Sequence, residues 1–274
     1  MAHGRVEDDT GLWRVLAEAS DVAGVLWSRG WAERNAGNLS CDVTETVQAV
    51  EGAGAQELRH LPRAVPELSG RRLLVTAAGS RMRDLASEPD RGCGVVEFTS
   101  GGSAYRVVWA GVGAAAFSPT SELPAHLAIH AALRRRDSTH RAIVHTHPVE
   151  LLALSHDRRL LDEARLNAAL WAVHPEAVVV VPAGVALVPY ALPGSQEQGA
   201  AAGAAMEGHE VALWEKHGSV ATGTGFAEAF DLIDTVNSAA RLLLLCRAAG
   251  YEPEGLSPSQ VADLRRAYPG PAVR

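Results

Sequence analysis

Ala142-Ile143-Val144-His145-Thr146-His147-Pro148 joins a short apolar run to two histidines and a proline. The run is too short for a helix and is rich in β-branched residues, so it reads as a buried strand that the proline ends. Side chains on a strand alternate faces, which sends His145 and His147 the same way at the strand's end. Two imidazoles placed so can share one metal ion. The competing reading makes one of them a satisfied core residue and the other a solvent-exposed one.

Working upstream, Pro119-Thr120-Ser121-Glu122 opens an expected helix that runs to about Arg135, with Pro124 tolerated in the first turn. Glu122 there is either a capping carboxylate or a base or metal ligand near free N–H groups. Glu122, His126 and His130 also share a helix face at four-residue spacing, an alternative metal site that leaves the strand pair unexplained. Strands are expected at 71–76, 93–99 and 105–109, and a further strand-like segment follows Glu33-Arg34-Asn35-Ala36-Gly37-Asn38-Leu39-Ser40. The region 51–70, polar and rich in Gly, Ala and Pro, reads as an insertion or long loop. At the N-terminal end, Asp9 or Thr10 can cap a helix in which Leu12, Leu16, Val22, Val25 and Leu26 recur up to Gly30.

Downstream of Pro148, helical segments at 149–156 and 160–171 precede two apolar runs, 178–181 and 185–188, read as a hairpin. A helix at 196–208, a strand at 211–214 ending on Lys216-His217-Gly218, a long amphipathic helix at 227–249 and a last helix at 258–268 follow. Strands and helices interleave without a low-complexity linker or internal repeat, so residues 1–274 read as one α/β domain.

Composition narrows the chemistry. With 47% hydrophobic and 21% charged residues the 274-residue chain is globular, and 25 Lys+Arg against 32 Asp+Glu gives a charge of −7. That deficit argues against nonspecific nucleic-acid binding. Cys41, Cys93 and Cys246 form no CxxC pair, which points away from a disulfide framework or a cysteine zinc site and towards a reducing cytoplasm. The first ten residues lack the basic-then-apolar order of a secretory signal. The stretch 177–192 is broken by Pro182, Gly184 and Pro189 and falls short of the roughly 20 apolar residues a membrane helix needs. Lys216 is the sole lysine, so Schiff-base chemistry has one candidate, whereas eleven histidines favour metal chemistry. A catalytic zinc usually takes three protein ligands, and His217, before Gly218, is the best third candidate beside the reading of an ordinary loop histidine.

Taken together, Glu33-Arg34-Asn35-Ala36-Gly37-Asn38-Leu39, Pro119-Thr120-Ser121-Glu122-Leu123-Pro124-Ala125-His126, His145-Thr146-His147 and His217-Gly218 closely resemble the zinc-dependent class II aldolase/adducin superfamily. The resemblance runs over nearly the whole chain and includes Leu192-Pro193-Gly194-Ser195 and Leu232-Ile233-Asp234-Thr235. It implies a three-layer α/β/α sandwich with a central mixed, largely antiparallel sheet. It implies one Zn2+ per subunit on His145, His147 and His217, with Glu122 as the proton-transferring carboxylate. The implied assembly is a cyclic homotetramer with shared active sites, in which Glu176 reaches the neighbouring subunit's site. Phosphate would rest on Asn35, Gly37, Asn38, Gly79, Thr120 and Ser121.

The implied activity is reversible cleavage of L-rhamnulose 1-phosphate to dihydroxyacetone phosphate and L-lactaldehyde, with zinc stabilising the enediolate. Other superfamily activities share the same histidines: an L-fuculose-phosphate aldolase, an epimerase or a dehydratase. An adducin-type binding protein would keep the fold without needing the three histidines and Glu122 together, and a zinc hydrolase is a third alternative on metal grounds. The chain departs from the family pattern at Ala77-Ala78-Gly79-Ser80, where a serine hydroxyl commonly contacts phosphate and Ala78 offers none. Ser80 is the hydroxyl that could replace it. A hydrogen bond lost to a charged group is worth about 1.5–3 kcal/mol.

Overall fold

Central strands buried on both faces and helices with apolar faces sort the chain into three layers. The computed structural model describes residues 10–47 and 57–269. The first half contains α1 (Thr10–Ser28), β1 (Asn38–Asp42), β2 (Arg59–His60), β3 (Arg72–Thr76), α2 (Met82–Leu85), β4 (Cys93–Phe98), β5 (Ala104–Ala110) and α3 (Leu123–Arg135). The second contains β6 (Ala142–Thr146), α4 (Val149–Leu154), α5 (Glu163–Val173), α6 (Pro175–Val180), β7 (Val185–Val188), α7 (Gln196–Ala205), β8 (Val211–Trp214), β9 (Gly218–Gly223), α8 (Phe226–Ala248) and α9 (Pro258–Ala267).

All described strands join one sheet in the order β2-β5-β4-β3-β1-β6-β9-β8-β7. Only β7 and β8 run parallel; the other neighbours are antiparallel. Side-chain alternation divides the core. Leu74, Val95, Val144 and Ala221 face Leu16 and Leu26 of α1 and Phe226 and Ile233 of α8. Ile143, Val188 and Val220 face the opposite way, against Ile129 and Leu133 of α3 and Ala202 of α7. Leu73, Val75 and Val96 continue that second layer with Leu127. The mixed, largely antiparallel sheet between helical layers is the expected architecture.

Several local expectations differ. The run 178–181 is not a strand: Pro175, with its fixed φ, starts α6, and burial of Ala177 and Val178 overrides the β preference of the valines. Val185–Val188 therefore has no hairpin partner there and instead pairs parallel to β8. Strand β9 was not expected, because Gly-Ser-Val-Ala-Thr-Gly carries little apolar alternation, yet it is wholly buried between β6 and β8. Of the region 51–70, residues 51–56 lie outside the described ones. The remainder is not free loop: Arg59 and His60 pair with Tyr105 and Ala104 at the sheet edge, and Leu68 is buried.

Helix α3 begins at Leu123, later than 119, because Pro119 is held in a bridge to Ala77. Glu122 thereby becomes its N-cap residue. The caps expected for α1, Asp9 or the Thr10 side chain, fall outside what is described. No helix among the described residues is long and apolar enough to cross a membrane.

Candidate metal centre and anion pocket

Strand parity places His145 on the α3 side of the sheet with Ile143, while Thr146 turns away and donates its hydroxyl to the Trp31 carbonyl at 2.7 Å. The His147 amide bonds the same carbonyl at 2.9 Å, which fixes the chain just beyond β6 and points the second ring back to the first. His217 comes from the β8–β9 turn. Its amide donates to the Trp214 carbonyl at 3.0 Å, and Lys216 takes a left-handed φ of 59° to close the turn. The ligand atoms of His145, His147 and His217 all lie within 4.8 Å of one another.

Two glycines make this approach possible. A Cβ on Gly218 would stand 2.7 Å from His147 Cδ2 and 2.9 Å from His145 Cε1, so any side chain there drives the rings apart. Gly37, at a φ of 78°, lets the loop before β1 lie against the His145 carbonyl, where a Cβ would come within 2.9 Å. The His145 ring also stacks on Trp214 at 4.5 Å between centroids.

Each ring has its other nitrogen engaged. His145 Nδ1 meets the Ser219 carbonyl at 2.9 Å, His147 Nδ1 meets Glu33 Oε1 at 3.0 Å, and Gln198 Nε2 meets His217 Nδ1 at 2.9 Å. An acceptor at Nδ1 holds the proton there and leaves Nε2 bare for a metal, which is the arrangement at His145 and His147. His145 Nε2 is buried without a hydrogen-bond partner, although it lies 3.2 Å from Glu122 Oε2. Burial pushes the His145 ring down to about 3 despite the nearby Glu122 charge, so it is a neutral donor at neutral pH. Three imidazoles, one with an orphaned buried nitrogen, fit zinc by number, type and convergence.

Glu122 faces this cluster from the start of α3, with Oε1 3.1 Å from His217 Nε2. Asn38 Nδ2 donates to Oε2 at 3.0 Å. Burial by itself would raise the carboxyl's pKa, but the hydrogen bonds to His217 and Asn38 outweigh it and hold Glu122 well below the usual carboxylate range. Glu33 is likewise lowered, its bond to His147 overcoming the cost of partial burial.

Asn35, Gly37, Asn38, Gly79, Thr120 and Ser121 all border one cavity of about 190 Å³ together with Glu122, His145, His147 and His217. Ser80 borders it too, whereas Ala78 does not. A depression of about 660 Å³ adjoins along Ala77, Gly79 and Ser80, but it contains none of the histidines. Within this lining the Asn38 amide donates to Glu122 Oε2 and its oxygen faces His126 Nε2. Glu176 is exposed in the first turn of α6, pairs with His174 at 3.3 Å and does not border this cavity.

The helix-face alternative of Glu122, His126 and His130 does not come together. His126 and His130 both turn inward onto Ser40 Oγ, at 2.6 and 2.9 Å. Sequence reasoning gave no role to Glu33 and Gln198, which orient two of the rings. Glu33 lies within the quoted motif, so that motif held its signal. Gln198 sits in an alanine-dense helix that offers none.

Residues 17–244 match the family described as the class II aldolase and adducin N-terminal domain. The rhamnulose-1-phosphate aldolase of Bacteroides thetaiotaomicron is 33% identical over 265 residues, covering 96% of this chain and 97% of that protein. The rhamnulose-1-phosphate aldolase of Pectobacterium atrosepticum is 34% identical over 249 residues, 89% of each. Among solved structures, a sugar-phosphate aldolase from Thermotoga maritima superposes with a TM-score of 0.76 at 32% identity, covering 89% of this chain and 99% of that one.

Proposed function

The chain belongs to the class II aldolase and adducin family, and from that premise we propose that it is a zinc-dependent aldolase reversibly cleaving L-rhamnulose 1-phosphate to dihydroxyacetone phosphate and L-lactaldehyde. The observation that carries this reading is the single polar cavity shared by three histidines, Glu122 and the turns at 35–38, 79–80 and 120–121. His145, His147 and His217 would hold the zinc, which when bound supplies Lewis-acid stabilisation of negative charge developing on the ketose oxygens.

Glu122 handles the proton at C3. Ionised, it accepts that proton from dihydroxyacetone phosphate in the synthesis direction and returns it to C3 in cleavage. The phosphate meets donors already in place: backbone N–H groups about Gly37 and Gly79, the hydroxyls of Thr120, Ser121 and Ser80, and the Asn35 amide. With Ala78 in the loop, Ser80 takes over the hydroxyl contact.

The same proposal makes Glu176 the residue that exchanges a proton with the C4 oxygen in a neighbouring copy of a homotetramer. Its exposure, and its absence from the cavity of its own chain, support that assignment. The three free cysteines, two of them buried, suit work in a reducing cytoplasm.

The test is release of dihydroxyacetone phosphate from L-rhamnulose 1-phosphate by the zinc-loaded protein, with a chelated control and L-fuculose 1-phosphate in parallel. Release that is stopped by chelator and favours the rhamnulose ester is expected. Preference for the fuculose ester would move the substrate within the family, and release unaffected by chelation would overturn the metal assignment.

A further inference from the structure

Below the cavity floor, polar side chains continue where apolar ones would be the default. Asn38, Ser40, His126 and His130 are each at least 93% buried, between the sheet and α3. They form one connected chain. Asn38 Nδ2 donates to Glu122 Oε2 at 3.0 Å, which leaves Asn38 Oδ1 facing His126 Nε2. His126 Nδ1 lies 2.6 Å from Ser40 Oγ, and Ser40 Oγ lies 2.9 Å from His130 Nε2.

The direction of each bond follows from the one before it. A carboxylate only accepts, so the amide must give it the NH2 group and keep its oxygen for His126. That oxygen needs a proton from His126 Nε2. A neutral ring protonated there has a bare Nδ1, which takes the Ser40 hydroxyl proton. The Ser40 oxygen is then free to accept from His130 Nε2. All four donors point toward Glu122.

We infer that His126, Ser40 and His130 are positioning residues that lock the Asn38 amide in the orientation that holds Glu122 as an aimed carboxylate. Burial pushes His126 down to about 4 and His130 to about 3, so each ring carries a single N–H at neutral pH, as the chain requires. Reversing any link would turn the amide oxygen toward Glu122 and set two acceptors face to face. The inference rests on reading Glu122 as the proton-transferring group, but its first test does not depend on the substrate.

That test is ring 15N NMR of the zinc-loaded protein labelled at histidine, with signals assigned through His126→Asn and His130→Asn. Both rings are expected neutral at pH 7 with the proton on Nε2; a majority of Nδ1–H at His126 would reverse the chain and overturn the inference. In the aldolase assay, Ser40→Ala is expected to lower kcat roughly 10-fold while KM and zinc content stay unchanged. Ser40→Thr, which keeps the hydroxyl, is expected to recover most of that loss. Unchanged kcat in Ser40→Ala, or zinc lost in parallel, would refute a positioning role. If Ser40→Ala does not fold, the spectrum of the unaltered protein decides. If neither ketose ester is cleaved, the functional proposal fails while the spectrum still judges the hydrogen-bond chain.

Discussion

His145 and His147 sit two residues apart at a strand end, and His126 and His130 sit four apart on a helix; both spacings are ones that metal sites use. In the strand set, Nδ1 of His145 and of His147 is tied to an oxygen, and a third ring arrives from the β8–β9 turn. In the helix pair, both nitrogens of His126 and Nε2 of His130 are taken by Ser40 and Asn38 inside the core. A metal site is therefore distinguished less by histidine spacing than by which lone pairs the surrounding structure leaves unspent and convergent.

The sharpest way to break this comparison is to exchange the fates of the two sets. His145→Gln is expected to lose bound zinc and at least about 100-fold in cleavage rate, whereas His130→Gln should keep its zinc. Metal analysis beside the kinetic assay checks this, and zinc retained by His145→Gln would mean that the ligands have been misassigned. A smaller effect is expected from Gly218→Ala. The added Cβ presses on the Thr146 carbonyl as well as on His145 and His147, so zinc affinity should fall roughly 10- to 100-fold, read by competition with a chromogenic chelator, with stability lowered beside it and checked by denaturant unfolding.

A third effect, on stability and not on zinc, belongs to the buried pair. Their native pKa values of about 4 and 3 lie below the unfolded 6.5, so the unfolded chain binds these protons first. Stability is then untouched above pH 6.5 and lost as pH falls toward 4. At pH 5 each ring should cost roughly 2 kcal/mol relative to pH 7, measured by denaturant unfolding. A flat profile over that range would show that the rings titrate normally and are not sealed in.

The comparison also marks how far local sequence reasoning reaches. The strand ending in His145-Thr146-His147 was legible because alternation and a terminal proline act over a few residues. The core strands β3, β4 and β5 were legible as short apolar runs rich in β-branched residues. Strand β9 and helix α6 were not: a strand bounded by glycines, with Val220 as its one large apolar residue, is held by its neighbours' hydrogen bonds, and a valine-rich helix by what it buries. Within 51–70, read as an insertion or long loop, Arg59 and His60 form a sheet edge that local pattern could not reveal, because a strand more than forty residues away sets the pairing.

Legible in the sequence were the ingredients: an acidic globular α/β chain, a single lysine, a strand-end histidine pair, a third candidate histidine before a glycine and a carboxylate at a helix start. The packed fold was needed to tell which histidine nitrogens meet protein partners in the core and which three rings converge. It also decided that Asn38 serves Glu122, and that Gly218 and Gly37 are spaces the rings and loops occupy. The reason is physical: periodicity fixes the direction of a side chain within its own element, whereas hydrogen-bond partners are supplied by other elements that only the packed fold brings into reach.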